Sequence, residues 1–577
     1  MKQFSFAILF VFLLHCNVMA GKNFSFNSPP TLLPNFPIKI DSGYTHVTPP
    51  LLADFDNDGT LEIVITIGVT AHFPRAIYIF NKDGNQLHGW PIQLPPPGAK
   101  FTAAGDIQGD GKIELVVVSE SLYVFNSNGT RYEGFPVPIT LGTERAGLLS
   151  LYDLDNDNRL EIILLRGSQL LVFNADGQMR NGWPQVLRNS PITIPKFTIG
   201  NIGGNDNAEI VVAATSECPV PGTCDSMAAL YAFGDNGVLL PGWPAYLDSN
   251  YFFWGFCEPV IIPSSPEGPL IAITNNRVTQ IGPAFEILAR MSIFSPSGQV
   301  IRQWRLDKND DAGASSISVA DIDGNGELEL ITATDTREVI ISSLSGTILQ
   351  RNMYGYVNGP DNVVVGKLTS SDTLTIIARN NQSSNDTSQI FFYQFDGSSV
   401  PWSPIKVRGI PNYVPALGDI NNDGSIDMVT ITTTITDLNY LYAWTLPGIS
   451  STQENFPWPM YGHDRYRTSQ FGFVPSDSIV SVPSFEQTTL QFSLSQNYPN
   501  PFNPQTTLSF VIRHSSLVSL KVYNTLGKEV AMVIQNELKE AGEHKVTFDA
   551  SNVPSGIYYY RLTAGTFTET KKFVVVR

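Results

Sequence analysis

LLADFDNDGTLEIVIT, residues 51–66, sets an Asp-rich turn directly against an apolar strand. The same arrangement returns as AAGDIQGDGKIELVVVS from Ala103, SLYDLDNDNRLEIILL from Ser150, IGNIGGNDNAEIVVAA from Ile199, SVADIDGNGELELITA from Ser318 and ALGDINNDGSIDMVTI from Ala416. VIIPSSPEGPLIAITN from Val260 and VVGKLTSSDTLTIIAR from Val364 keep the apolar frame and lose the acids. Successive copies stand about 46 to 62 residues apart. Units that short cannot each bury a core, so they must stack on one another.

Between copies a second apolar run passes through a Gly turn and often into Gly-Trp-Pro or Gly-Phe-Pro. AIYIFNKDGNQLHGWPIQL from Ala76, LYVFNSNGTRYEGFPVPI from Leu122, LLVFNADGQMRNGWPQVL from Leu170 and LYAFGDNGVLLPGWPAYL from Leu230 are the clear examples. Asp-Gly and Asn-Gly tolerate the positive φ of tight hairpins, so these runs read as the third and fourth strands of an antiparallel sheet. Four strands per repeat make one blade of a β-propeller, whose radial packing leaves only short protected edges. The predicted fold is therefore all-β, a β-propeller of eight blades with seven as the alternative. Low charge (15%), 46 Gly and 40 Pro agree with strands and turns rather than helices. A ring must also close. FPIKI from Phe36 reads as the fourth strand of the last blade, and FPWPMYGHDRYRTS from Phe456 competes for that edge.

The acids of the first turn are regularly spaced: Asp54, Asp56 and Asp58 at positions one, three and five, a Thr60 carbonyl at seven and Glu62 at nine. Such a loop wraps oxygen ligands around one point, which suits Ca2+ better than Mg2+ or zinc. Asp106, Asp110 and Glu114 retain three acids of the set. Asp153, Asp155, Asp157 and Glu161 repeat it, as do Asp321, Asp323, Asn325 and Glu329, and Asp419, Asn421, Asp423 and Asp427. Asn201, Gly203, Asn205 and Glu209 are too poor in charge to hold a cation. Taken singly, any one turn could use Asp and Asn only to shape the backbone. Five good copies favour bound Ca2+ pinning the first turn of each blade.

The repeated D-x-D-x-D-G-x-x-E followed by an apolar strand resembles the FG-GAP and VCBS-type repeats of integrin-α-like propellers, over about residues 35–470. Propellers of that kind commonly have seven blades. The turn followed by Trp is similar to that of the eight-bladed quinoprotein propellers.

The N-terminus carries Lys2, the apolar run FAILFVFLL and Val18-Met19-Ala20, the pattern of a signal peptide spanning residues 1–20. The apolar run is too short to cross a membrane, so no transmembrane segment is expected after cleavage. His15 stands where a lipoprotein site needs a small residue, which favours cleavage after Ala20 over lipidation at Cys16. Cys218 and Cys224 flank a short loop that could close a disulfide outside the cytoplasm, leaving Cys257 over. A net charge of −17 excludes a nucleic-acid surface, which needs clustered Lys and Arg.

Residues 471–490 are polar, Ser-rich and Pro-containing and read as a linker. From residue 491 to 577 the style changes to alternating strands of a small Ig-like β-sandwich. Asn500-Pro501-Phe502, Val522-Tyr523-Asn524 with Gly527, Gly556-Ile557-Tyr558 and Lys571-Lys572 make this segment resemble the type A C-terminal sorting domain of the type IX secretion system. That resemblance implies the secretion machinery as a partner and the outer cell surface or the medium as destination.

No nucleophile elbow, HExxH, phosphate-binding loop or CxxC pair occurs. The reading is a secreted or surface propeller that binds a protein or glycan ligand. The alternative is a carbohydrate-active enzyme such as a polysaccharide lyase, some of which resemble this architecture, with His463, Asp464, Arg465 and Tyr466 as the one dense polar and aromatic cluster.

Overall fold

The computed structural model describes residues 29–473 and 493–576, apart from loop segments of which the longer are 42–47, 68–74, 140–145, 188–195, 217–226, 354–362 and 380–385. Signal peptide, Cys218, Cys224, Cys257 and most of the linker lie outside the described residues. The chain divides into two compact units, 1–478 and 479–577.

Among the described residues of the first unit lie eight sheets, in chain order 51–93, 101–138, 146–186, 196–246, 251–312, 314–353, 364–408 and 410–450, antiparallel throughout except for the parallel pairing of Asp311–Ala312 in the fifth. Each is a blade, numbered one to eight here. Second strands such as Glu62–Ile67 and Glu114–Val118 are buried along their whole length. They lie between two neighbouring blades, which is why they read as continuous apolar runs rather than alternating ones.

Packing follows the ring. Val64 and Ile79 of blade one share a core with Leu115 and Tyr123 of blade two, and Val116 and Val124 with Leu151 and Ile162 of blade three. The same holds round to blades seven and eight, where Ile377 and Phe392 meet Met428 and Tyr442. Ile63 and Ile65 of blade one then pack with Val429, Leu441 and Ile40 and close the circle. Ile40 belongs to Ile38–Asp41, which pairs with Leu438–Leu441 as the outer strand of blade eight. The N-terminal stretch therefore completes the last blade.

Gly-Trp-Pro works as a latch between blades. The indole Nε1 of Trp90 donates to Ser127 O at 2.8 Å, that of Trp183 to Asp235 O at 3.1 Å and that of Trp243 to Pro296 O at 2.9 Å, each in the next blade. The glycine before Trp90 has φ +92, and a Cβ there would stand 1.9 Å from Asn128 O. Only glycine lets the next blade's turn sit down on the motif.

FPWPMYGHDRYRTS, the rival for the closing edge, belongs to no blade. Residues 457–470 run across the innermost, first strands instead. Val365 N donates to Trp458 O at 3.0 Å, Leu417 N to Pro459 O at 2.9 Å, Ala104 N to Arg465 O at 3.1 Å, Leu151 N to Tyr466 O at 2.9 Å and Ile199 N to Thr468 O at 3.0 Å. Gln470 bridges to Ile261. Blades two, three, four, five, seven and eight thus attach to one segment, which plugs the axis of the ring. The plug takes up backbone groups that these first strands turn toward the axis.

The second unit has a three-stranded sheet (Ser493–Leu494, Gln505–Ile512, Gly542–Asp549) and a four-stranded one (Glu529–Lys539, Ser516–Asn524, Gly556–Ala564, Phe567–Val575). Leu508, Phe510, Tyr560, Leu562 and Phe573 form their common core. Asn500 Oδ1 accepts from Val574 N at 2.9 Å, and Phe502 N donates to Val574 O at 3.2 Å, so Asn-Pro-Phe ties the entering chain to the last strand.

Candidate metal centres on the turn face

Antiparallel order puts the turns between first and second strands at one end of every blade. Neighbouring turns touch: Asn57 Nδ2 donates to Gly111 O at 2.9 Å, and Leu61 N donates to Ile420 O at 3.0 Å across the closure.

Each turn is organised by its first carboxylate. Asp54 accepts from Asp58 N and Gly59 N at 3.2 and 3.0 Å, and Asp106 from Asp110 N and Gly111 N at 3.0 and 2.6 Å. Asp153, Asp321 and Asp419 repeat this double acceptance. The residue at position three or five then accepts further along, as Asp58 Oδ1 does from Thr60 N and Oγ1 at 2.7 and 2.6 Å. Asn325 and Asn421 turn their amides onto Asp323 and Asp423 at 3.1 and 2.9 Å. Carboxylate oxygens approach within 4.8 Å of one another in Asp54, Asp56 and Asp58, in Asp153, Asp155 and Glu161, and in Asp321, Asp323 and Glu329.

Position nine holds a second role that spacing alone does not disclose. One oxygen of Glu62 accepts from Phe55 N at 2.8 Å, and Glu114, Glu161, Glu329 and Asp427 do the same with Ile107, Leu154, Ile322 and Ile420. Glu209 keeps this bond to Ile202 N at 2.8 Å although its turn has lost the other acids. The carboxylate is thus a strap on the turn whether or not the rest of the set is present.

The other oxygen differs. Glu62 Oε1 is buried and accepts no hydrogen bond from the described protein atoms. Burial, reinforced by Asp56, Asp54 and Asp58, pushes Glu62 up to about 8. Burial and the neighbouring acids of the same turns push Glu114 to about 8, and Glu329 and Asp427 to about 7. Groups in this state need a proton or a cation. Burial pushes Glu161 of blade three up to about 7 as well, but there a protein cation is at hand: Arg180, which the sequence reading did not single out, pairs with Asp155 and Glu161 at 2.8 and 3.1 Å.

The cluster offered as an enzymatic alternative lies in the axial plug. His463 and Asp464 are both about 5% exposed, and His463 Nδ1 lies 3.1 Å from Asp464 Oδ2. His463 also packs edge-on to Trp458, with ring centroids 5.0 Å apart. The buried Arg467 donates to Tyr461 O, and at 3.4 Å to Pro49 O, Pro50 O and Thr102 O. These side chains hold the plug in the ring.

Residues 54–117 match the FG-GAP-like repeat family, and residues 496–576 match the secretion system C-terminal sorting domain. The sorting domain directs type IX secretion, which places the chain in the extracellular space or on the cell surface. No curated protein matches. Among solved structures, the chain is similar to the V. cholerae biofilm matrix protein Bap1, at 11% identity and TM-score 0.36, over 76% of this chain and 93% of that one. It is also similar to BamB from Moraxella catarrhalis, at 9% identity and TM-score 0.37, over 70% and 99% respectively.

Proposed function

We propose that this chain is an exported β-propeller, pinned by Ca2+ at its acidic turns, that binds a protein or glycan ligand through the loops at the opposite end of its blades. The observation that carries the binding reading is the contrast between the two ends. At the turn end, the stretch from position one to position nine keeps one length in six blades. At the other end, the link between second and third strands is two residues in blade two, between Val118 and Ser121, and ten in blade four, between Ser216 and Met227. A rigid repeated scaffold with blade-specific loops at one end is suited to recognition. Charged and aromatic side chains of the plug stay engaged inside the ring, which leaves recognition to those loops.

Calcium is supported by the buried bare oxygen of Glu62 and by the hard oxygen donors around it. Asp54, Asp56, Asp58, Thr60 and Glu62 would hold one ion, and the turns at Asp106, Asp321 and Asp419 one each. The ion would supply fixed positive charge where the folded blade gathers carboxylates.

Screening the purified protein against neutral and acidic polysaccharides and extracellular matrix proteins tests the reading, with saturable binding and unchanged ligand as the expected result. Appearance of unsaturated oligosaccharide ends, abolished by Arg465→Ala, would overturn it in favour of a lyase. Removing residues 491–577 is expected to leave a folded propeller inside the cell envelope. Surface protease accessibility of the truncated chain equal to that of the full one would contradict that.

A further inference from the structure

We propose that Arg180 is a built-in cation that takes the place of the metal in the third blade, so that this turn alone among the five acid-rich ones is metal-independent. The inference rests on the calcium reading of the other turns and sharpens it. Arg180 follows the third-strand hairpin turn of its blade, where its N–H donates to Val172 O at 2.9 Å. The same backbone bond, made to Ile79, Val124, Ala232 and Phe392, locates the equivalent residues of blades one, two, four and seven: Leu87, Tyr132, Leu240 and Val400. None of these is cationic. Among these five blades, only in blade three does a guanidinium reach from this position into the acidic turn; the cation of blade two's turn, Lys112, meets Asp110 at 3.1 Å but stands largely in solvent.

Its three nitrogens are all engaged there. Nη2 lies 2.8 Å from Asp155 Oδ2 and 3.8 Å from Asp235 Oδ2 of the next blade, Nη1 lies 3.1 Å from Glu161 Oε1, and Nε donates to Asp235 O at 3.3 Å. Glu161 Oε1 corresponds to Glu62 Oε1, the oxygen left bare and buried in blade one. Glu161 Oε2 meanwhile keeps the strap to Leu154 N at 2.9 Å. A planar fork with fixed charge can hold several carboxylates at once and never loses its proton. A second cation in the same turn would have to displace it from Asp155 and Glu161. The convergence of Asp153, Asp155 and Glu161 therefore already holds one fixed positive charge from within the protein, although burial still pushes Glu161 up to about 7.

The test uses the full chain and counts bound Ca2+ by native mass spectrometry for wild type, Arg180→Leu, Asp155→Asn and the double variant, with melting recorded in chelator. Leucine is the residue of blades one and four, so the substitution is expected to fold. Arg180→Leu should gain one ion over wild type, Asp155→Asn alone should lose none, and the double variant should return to the wild-type count. In chelator Arg180→Leu should melt below wild type, and adding Asp155→Asn should recover part of the loss. A wild-type chain that loses one ion on Asp155→Asn, or an Arg180→Leu variant unchanged in both count and melting, would overturn the proposal. If no variant binds Ca2+, the calcium reading of the other turns fails. Chelator melting then still decides on Arg180, because its pairing with Asp155 needs no metal.

Discussion

Trp458→Ala is expected to destabilise the propeller by about 3–5 kcal/mol, the cost of emptying a large buried aromatic site. Trp458 is fully buried in the core shared by blades five to seven, while its backbone pairs with Val365 in both directions. Relative to a total stability of about 5–15 kcal/mol, that loss would move the midpoint of urea unfolding strongly downward. Trp458→Phe should cost far less, because the indole nitrogen has no hydrogen-bond partner among the described atoms and the ring is there for its volume. Equal effects of the two substitutions would mean that the plug is not held by packing. Since the plug joins six blades, the loss should appear as one cooperative transition rather than as fraying of a single blade.

Removal of divalent cations is the other large effect expected. Each site that binds only the folded chain adds about 2.7 kcal/mol when the free ion is at 100 times its Kd, and four turns are assigned an ion. Without it, burial and neighbouring acids leave Glu62 and Glu114 at about 8, so at neutral pH the empty turn has to take up a proton in the ion's place. Asp54→Ala should remove one ion and leave the others in place, since the turns at Asp106, Asp321 and Asp419 are built from separate residues.

Much of the fold is legible because it is repeated. The Asp-rich turn, the buried second strand and the Gly-Trp-Pro motif recur, and each copy reports on the others. FPIKI could be recognised as an outer strand because it resembles the stretch after Trp90 and Trp183. The plug could not be recognised, since FPWPMYGHDRYRTS occurs once and periodicity has nothing to compare it with; its polar and aromatic side chains instead suggested chemistry. What binds it is backbone of six different blades, a property of ring closure that no local window contains.

The candidate site divides in the same way. Spacing reveals the acids, but a carboxylate at position nine looks like a ligand whether it straps Phe55 N or faces an ion. Glu209 shows the strap persisting where the acids are gone. Arg180 lies 25 residues beyond Asp155, and only the pairing of the second and third strands, Ile162 with Phe173, brings its hairpin against the turn. The departure from Leu87 and Leu240 at that position is visible once the blades are aligned on their hydrogen bonds.

The most direct test of the metal-pinned propeller is thermal melting of the exported chain in chelator, followed by addition of Ca2+ or Mg2+. The melting temperature should fall in chelator, recover with Ca2+ and recover less with Mg2+, which demands tighter octahedral geometry than these turns offer. Identical melting curves under all three conditions would contradict the account.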